Sequence, residues 1–243
     1  MSLGYLLKRA AATCWPERVM VRGPVSAGRA CVTFDDGPHP QQTPLLLEAL
    51  AHADTKATFF LQGAHAREWP QLVREIHRAG HQVANHGFSH GSARSLPLGA
   101  YVGEVERTQA MLEDIVGCEL GRDFRPPFGD TTVRTFVALA KRGYRWTFWS
   151  HDSHDSEVRD PQQLVERTAG LNLQSGDIVL FHEDYAHTVA AMPHILAGLR
   201  ATGLVLVRTD SLRRKTTAEA APASSGSTGP DERPEHLQRR PNP

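Results

Sequence analysis

The chain has 243 residues, 40% of them apolar and 22% charged, enough for one sizeable domain with its own core. Lys plus Arg number 27 and Asp plus Glu number 27, so there is no basic excess and no nucleic-acid partner is expected. No apolar run is long enough to cross a bilayer, and Cys14, Cys31 and Cys118 are too scattered for a disulfide framework or a Cys-x-x-Cys metal knuckle.

Residues 1–24 read as an N-terminal extension. Leu6 and Leu7 are followed at once by Lys8 and Arg9, so the unbroken apolar stretch of a secretory leader is missing. A cytoplasmic location is the expectation for the chain as given. Export, or peripheral membrane contact through an amphipathic start, is the alternative; a plain surface helix is the preferred reading of that start. Strands are expected at 30–34, 56–61, 81–85, 123–127, 145–150, 176–181 and 204–209. Between them the helical period predicts helices at 44–53, 70–80, 99–116, 132–144, 161–171 and 188–203, the last interrupted near Pro193. This alternation predicts an α/β fold with a parallel sheet. Seven strands without a Gly-rich phosphate loop after the first fit a distorted, TIM-like (β/α) barrel better than a dinucleotide fold. Residues 25–211 would be the main folded domain. From 212 to 243 Ser, Thr, Pro, Ala and charge replace large apolar groups, which predicts a disordered tail.

Polar residues gather just past the strands: Asp35 and Asp36, His86 and His90, Arg125, then His151, Asp152, His154 and Asp155, then His182, Glu183 and Asp184. In a parallel barrel those ends open onto one face, where active sites are built. His86 and His90 are four apart, so a helical turn would put both imidazoles on one side. With one carboxylate they form a three-ligand metal site with an open position, suited to zinc, although Fe, Co, Ni and Mn accept the same donors. Asp36 can be that carboxylate. The neighbouring Asp35 would stay off the metal and take a proton from metal-bound water. The histidines and acids between 151 and 187 could make a second metal site; solvated loop residues are the preferred reading.

The ordered set "TFDDGP", "NHGFSH", "FRPPFG", "WSHDSHDS" and "VLFHE" resembles the five motifs of the polysaccharide deacetylases, carbohydrate esterase family 4, with their NodB-homology domain. The resemblance spans about 25–210. It implies a distorted barrel of seven or eight strands and a metal-dependent hydrolase that removes acetyl groups from N-acetylated sugars. A carbohydrate is then the substrate, zinc the expected metal and acetate the product. By the same resemblance Asp35 matches the catalytic base, and Asp36, His86 and His90 the metal ligands. Arg125 matches the arginine that holds the base, and the Phe128 N–H the oxyanion donor. His182 matches the general acid, with Asp155 orienting it. Three departures stand out. Gly87 replaces a Ser or Thr, which removes a hydroxyl brace. Phe128 replaces a Tyr. Ser156 replaces a Trp, leaving Trp146 or Trp149 to supply that apolar wall. An O-acetyl esterase on the same fold and a carbohydrate-binding pseudoenzyme are the rival readings.

Overall fold

The computed structural model describes residues 3–25 and 28–213, the side chains of 3–7 excepted. Of the expected tail, residues 214–243 lie outside the described residues. The elements run α1 (Leu3–Cys14), β1 (Val19–Met20), β2 (Arg29–Asp35), α2 (Gln42–His52), β3 (Thr58–Leu61), α3 (Gly63–Glu68) and α4 (Pro70–Arg78). There follow β4 (Gln82–Asn85), α5 (Leu98–Val116), β5 (Asp123–Phe124), α6 (Val133–Ala140), β6 (Arg145–Thr147) and β7 (His151–Asp152). The last are α7 (Pro161–Ala169), β8 (Ile178–His182), α8 (Ala186–Ala201), β9 (Val205–Leu206) and α9 (Thr209–Arg213).

All ladders are parallel, in the order β1-β6-β5-β4-β3-β2-β8-β7, with β9 pairing the start of β2. The sheet curls into the distorted TIM-like barrel expected from the alternation. Among the described residues no ladder joins β1 to β7, so the barrel stays open between them.

Side-chain alternation makes the two faces. On β2, Ala30, Val32 and Phe34 face outward and pack with Leu46, Leu50, Ile76 and Ile195 of the covering helices. Its other face puts Cys31 against Met20, Ile178 and Leu212 in the barrel interior, with Thr33 and Asp35 above it. The register aligns Asp35 with Phe60 of β3 and with His182 of β8. The chemistry-bearing end of β2 is therefore central in the sheet.

Helix boundaries follow local chemistry. Pro70 and Pro161 occupy first-turn positions, where the missing N–H costs nothing. The side chain of Thr132 caps α6 and that of Asp160 caps α7. Gly117 ends α5 in the left-handed conformation, φ 75°.

Several expectations are corrected. α8 runs through Pro193 without a break. Met192, Ile195, Leu196 and Leu199 pin one side of it to the core, while Pro193 faces solvent, where water can serve the carbonyl it displaces. The expected strand over 204–209 shrinks to β9, and α9 takes Thr209 onward. Leu212 is fully buried on α9, one residue past the expected boundary at 211. β1 and β7 are two-residue strands that periodicity does not register, and β1 lies within the expected N-terminal extension. Among the described residues no helix is long and apolar enough to cross a membrane.

Candidate functional site

Asp35 ends β2 and is 3% exposed. Its Oδ1 accepts a 2.7 Å hydrogen bond from Nη1 of Arg125, itself fully buried. The rest of the guanidinium is spoken for. Nη1 also donates to Thr33 Oγ1, Nε to the Thr147 carbonyl and Nη2 to the Phe148 carbonyl. Its flat face lies 4.1 Å from the Phe60 ring centre. Burial lowers the Arg125 pKa, and the pairing with Asp35 opposes it. Asp35 Oδ2 is left facing His86 Nε2 at 3.7 Å.

Asp36 follows in a left-handed turn, φ 76°, uncommon for a residue with a β-carbon and typical of functional positions. That turn swings its carboxylate away from Asp35. Its Oδ1 lies 3.5 Å from His86 Nε2 and 3.2 Å from His90 Nε2. Gln62 donates to the same oxygen at 2.8 Å, and His65 Nδ1 donates to the Asp36 carbonyl at 2.7 Å. Burial pushes the Asp36 pKa up, but the fields of His86, His90 and His182 and the Gln62 hydrogen bond outweigh it and bring it down.

His86 and His90 do converge, but not on a helical turn. They sit on an irregular loop after β4, with Gly87 (φ 78°) and His90 (φ 59°) both left-handed. Two reversals in five residues fold the loop back on itself, which brings the rings to 5.2 Å. His86 Nδ1 donates to the Arg125 carbonyl at 2.7 Å, which orients the ring with Nε2 toward Asp36. Burial pulls the His90 pKa down despite Asp36. Donor atoms of Asp36, His86 and His90 all lie within 4.8 Å of one another. One carboxylate and two imidazole nitrogens brought this close are a donor set that fits a divalent metal. It is the only such group among the described residues.

The Gly87 departure has a structural answer. Asn85 Oδ1 accepts the Gly87 N–H, and Asn85 Nδ2 donates to the Val105 carbonyl, so Asn85 braces the loop from below. Of the two tryptophans named for the missing wall, Trp146 is excluded: it is fully buried against Phe136. Trp149 is half-buried and lies 5.6 Å from the Arg125 guanidinium.

On the neighbouring strand, His182 Nδ1 donates to Asp155 Oδ1 and its backbone N–H donates to Asp155 Oδ2, both at 2.7 Å. Asp155 is fully buried and also accepts from Thr188 Oγ1. Burial lowers the His182 pKa, but the Asp155 hydrogen bond and charge win and raise it to about 9. Phe128 belongs to a short turn after β5, at φ 58°. Its ring packs edge-on against His90 at 4.5 Å, and its N–H makes no hydrogen bond among the described residues. It stands free as a donor beside the metal-type cluster.

The other polar residues of the second cluster do not converge on an ion site. His151 pairs with Asp177, His154 lies near Glu157, and His187 donates to the Asp155 carbonyl. Residues that sequence reasoning passed over include Gln62, His65, Thr33 and Tyr185, whose ring lies 5.6 Å from that of His182. Glu183, which the sequence places among the strand-end polar residues, takes another part. It is fully buried under the Asp36 turn, and a β-carbon on Gly37 would fall 1.6 Å from its Oε1, so only glycine fits there. A cleft of about 460 Å³ between Gln82, Arg145 and Arg213 lies at the opposite strand ends and shares none of these residues.

The sequence profile described as polysaccharide deacetylase matches residues 22–147. A chitooligosaccharide deacetylase of Azorhizobium caulinodans is 31% identical over 189 residues, 72% of this chain and 90% of that protein. The crystal structure of the Bc1960 peptidoglycan N-acetylglucosamine deacetylase superposes with a TM-score of 0.77 at 27% identity, over 84% of this chain and 97% of that one. A mutant family 4 pseudoenzyme with restored activity superposes with a TM-score of 0.73 at 26% identity, over 79% and 70% of the two chains.

Proposed function

Because the chain belongs to the polysaccharide deacetylase family, carbohydrate esterase family 4, we propose that it is a metal-dependent hydrolase removing acetyl groups from N-acetylated sugars of an oligo- or polysaccharide. One observation carries the reading. The acceptor cluster of Asp36, His86 and His90 shares one face with two oriented acid–base pairs, Asp35–Arg125 and Asp155–His182. The similarity to proteins named as chitooligosaccharide and peptidoglycan N-acetylglucosamine deacetylases supports an N-acetylglucosamine polymer as the substrate.

Asp36, His86 and His90 would hold the metal, zinc by preference for two imidazoles and a carboxylate. When bound, it supplies Lewis acidity to the attacking water and the acyl oxygen. Asp35 has one oxygen tied to Arg125, so the other is free to take the proton of that water. The free Phe128 N–H donates to the acyl oxygen as negative charge develops. His182 carries a proton at neutral pH and passes it to the departing nitrogen, while Asp155 keeps the ring aimed. An amide cannot expel its nitrogen unprotonated, whereas an ester's alkoxide leaves far more easily. A standing acid therefore favours the amide over the O-acetyl ester. Retention of every proton-handling group disfavours a binding-only role.

The test is acetate release by the zinc-loaded protein from tetra-N-acetylchitotetraose and from acetylated xylan, together with metal content. Asp35→Asn should abolish turnover, a loss of at least ~10³-fold, yet keep its zinc; His86→Ala should lose both. Turnover retained in Asp35→Asn refutes the assignment of the base.

A further inference from the structure

The N-terminal helix α1 precedes the residues that the family profile matches, yet it reaches the face that carries the site. Lys8 leaves α1 and places its ammonium 4.6 Å from the centre of the Phe148 ring and 5.3 Å from that of Trp149. Gly129 closes in from the other side. A β-carbon there would fall 2.7 Å from Lys8 Nζ and 2.9 Å from the Trp149 ring. Gly129 follows Phe128, and Trp149 lies over the guanidinium that grips Asp35. Lys8 thus touches the residue that follows the expected acyl-oxygen donor, and the Trp149 ring stands between it and the arginine that holds Asp35.

No hydrogen bond or ion pair engages this ammonium among the described residues. Burial pulls its pKa down, and the field of Asp130 partly restores it. Asp130 itself is held elsewhere, its oxygens accepting from Arg94 Nε at 2.9 Å and Ser92 Oγ at 2.6 Å. Ring faces attract a cation but accept none of its N–H groups in the way an oxygen does. A half-buried ammonium with three donors and no protein acceptor among the described residues is left to water or to a ligand. On the same helix, Arg9 lines a cleft of about 380 Å³ with Arg22, Ser150, His151 and Asp177. Asp177 is already bridged by Arg22 and His151, both at 3.1 Å. Lys8 does not line that cleft, and the carboxylate whose field reaches its ammonium is Asp130.

We propose that Lys8, supplied by α1, is a binding residue for a carboxylate substituent of the glycan, seated on Trp149 next to the acetamido group to be hydrolysed. The inference rests on the deacetylase reading for its substrate. A single ammonium is a point charge that matches a singly charged carboxylate, whereas a planar arginine fork suits bidentate recognition. A lysine that only pins α1 to the two rings would be indifferent to the charge of the sugar.

Two probes separate these roles: tetra-N-acetylchitotetraose, and the same tetramer with its primary alcohols oxidised to carboxylates. Calorimetric titration of the zinc-loaded full chain should give a Kd about tenfold lower for the acidic probe at low salt. That ratio should shrink toward one at about 0.5 M salt, where exposed charge is screened. Lys8→Met should remove the preference and Lys8→Arg should keep most of it. Equal Kd values in the unaltered protein, or a preference surviving in Lys8→Met, overturn the proposal. If Lys8→Met fails to fold, the probe ratio and its salt dependence in the unaltered protein decide alone. Acetate release from the neutral probe is scored separately. Its failure alongside an intact charge preference would sink the deacetylase reading and leave the subsite standing.

Discussion

Two buried carboxylates stand on either side of the same strand pair and are held in opposite ways. Asp35, at the end of β2, meets Arg125, a cation that keeps its charge at any ordinary pH. Asp155, beside the end of β8, meets His182, a cation that can give its proton away. The register places Asp35 directly opposite His182. The fold thus sets a carboxylate backed by a permanent charge beside an imidazole held by a fixed carboxylate. In the proposed mechanism these two groups divide the labour of a base and an acid.

The sharpest way to break the comparison is to remove the permanent charge. Arg125→Met leaves Asp35 buried without a partner and also orphans the Thr147 and Phe148 carbonyls. Breaking a buried pair on one side costs about 3–5 kcal/mol. Chemical denaturation should register that loss, and acetate release should fall to background. Adding Asp35→Asn to Arg125→Met should return much of the stability and none of the activity. If Arg125→Met alone leaves both stability and turnover intact, the pair is not what holds the base.

The titratable pair should break more gently. His182 is raised from 6.5 to about 9, so its charged form contributes stability that is complete below pH 6.5 and is lost as the pH rises through about 9. As general acid it should give an alkaline limb in kcat near that upper value. Asp155→Asn removes the cause of the shift. We expect kcat to fall by ~10²-fold and the limb to move down toward the ordinary histidine range. A pH–rate profile checks both; a limb that stays near pH 9 means that Asp155 does not tune His182. A merely structural Asp155 would lower the rate without moving the limb.

Both pairs were legible in the sequence as polar residues directly behind apolar strand runs, because barrel topology alone brings strand ends together. The details that topology does not fix were hidden. The spacing of His86 and His90 suits a helix, yet left-handed Gly87 and His90 make the loop, and no periodicity encodes that choice. Trp146 and Trp149 are equivalent as letters, and only packing buries one and leaves the other at the site. Gln62 and His65 steady Asp36 from the start of α3, an element short enough to escape the helical pattern. Lys8 belongs to a helix whose sequence signals nothing about the far side of the sheet. Pro193 misled because a proline's cost depends on which side of the helix it faces, and α8 turns it to solvent.

Glu183 gives a test that needs no substrate, since it is a third carboxylate with no cation paired to it among the described residues. Its Oε1 accepts from Thr43 Oγ1 at 2.7 Å, and its Oε2 has no partner. Burial pushes its pKa from 4.5 to about 8, against the hydrogen bonds from Thr43 and the His39 N–H. At neutral pH it is thus a neutral acid wedged beneath the Asp36 turn, the opposite of both Asp35 and Asp155. The folded pKa lies above the unfolded one, so the stabilising difference is complete below pH 4.5 and is lost as the pH climbs through about 8. Across that window each pH unit costs at most ~1.4 kcal/mol. Glu183→Gln keeps the shape and removes the titration. We expect its thermal midpoint to match the unaltered protein near pH 5 and to exceed it at pH 8, with zinc binding retained. A variant whose midpoint tracks the unaltered protein across the whole range would mean that Glu183 is charged in the fold, and that the turn carrying Asp36 rests on an ion instead of a hydrogen-bonded acid.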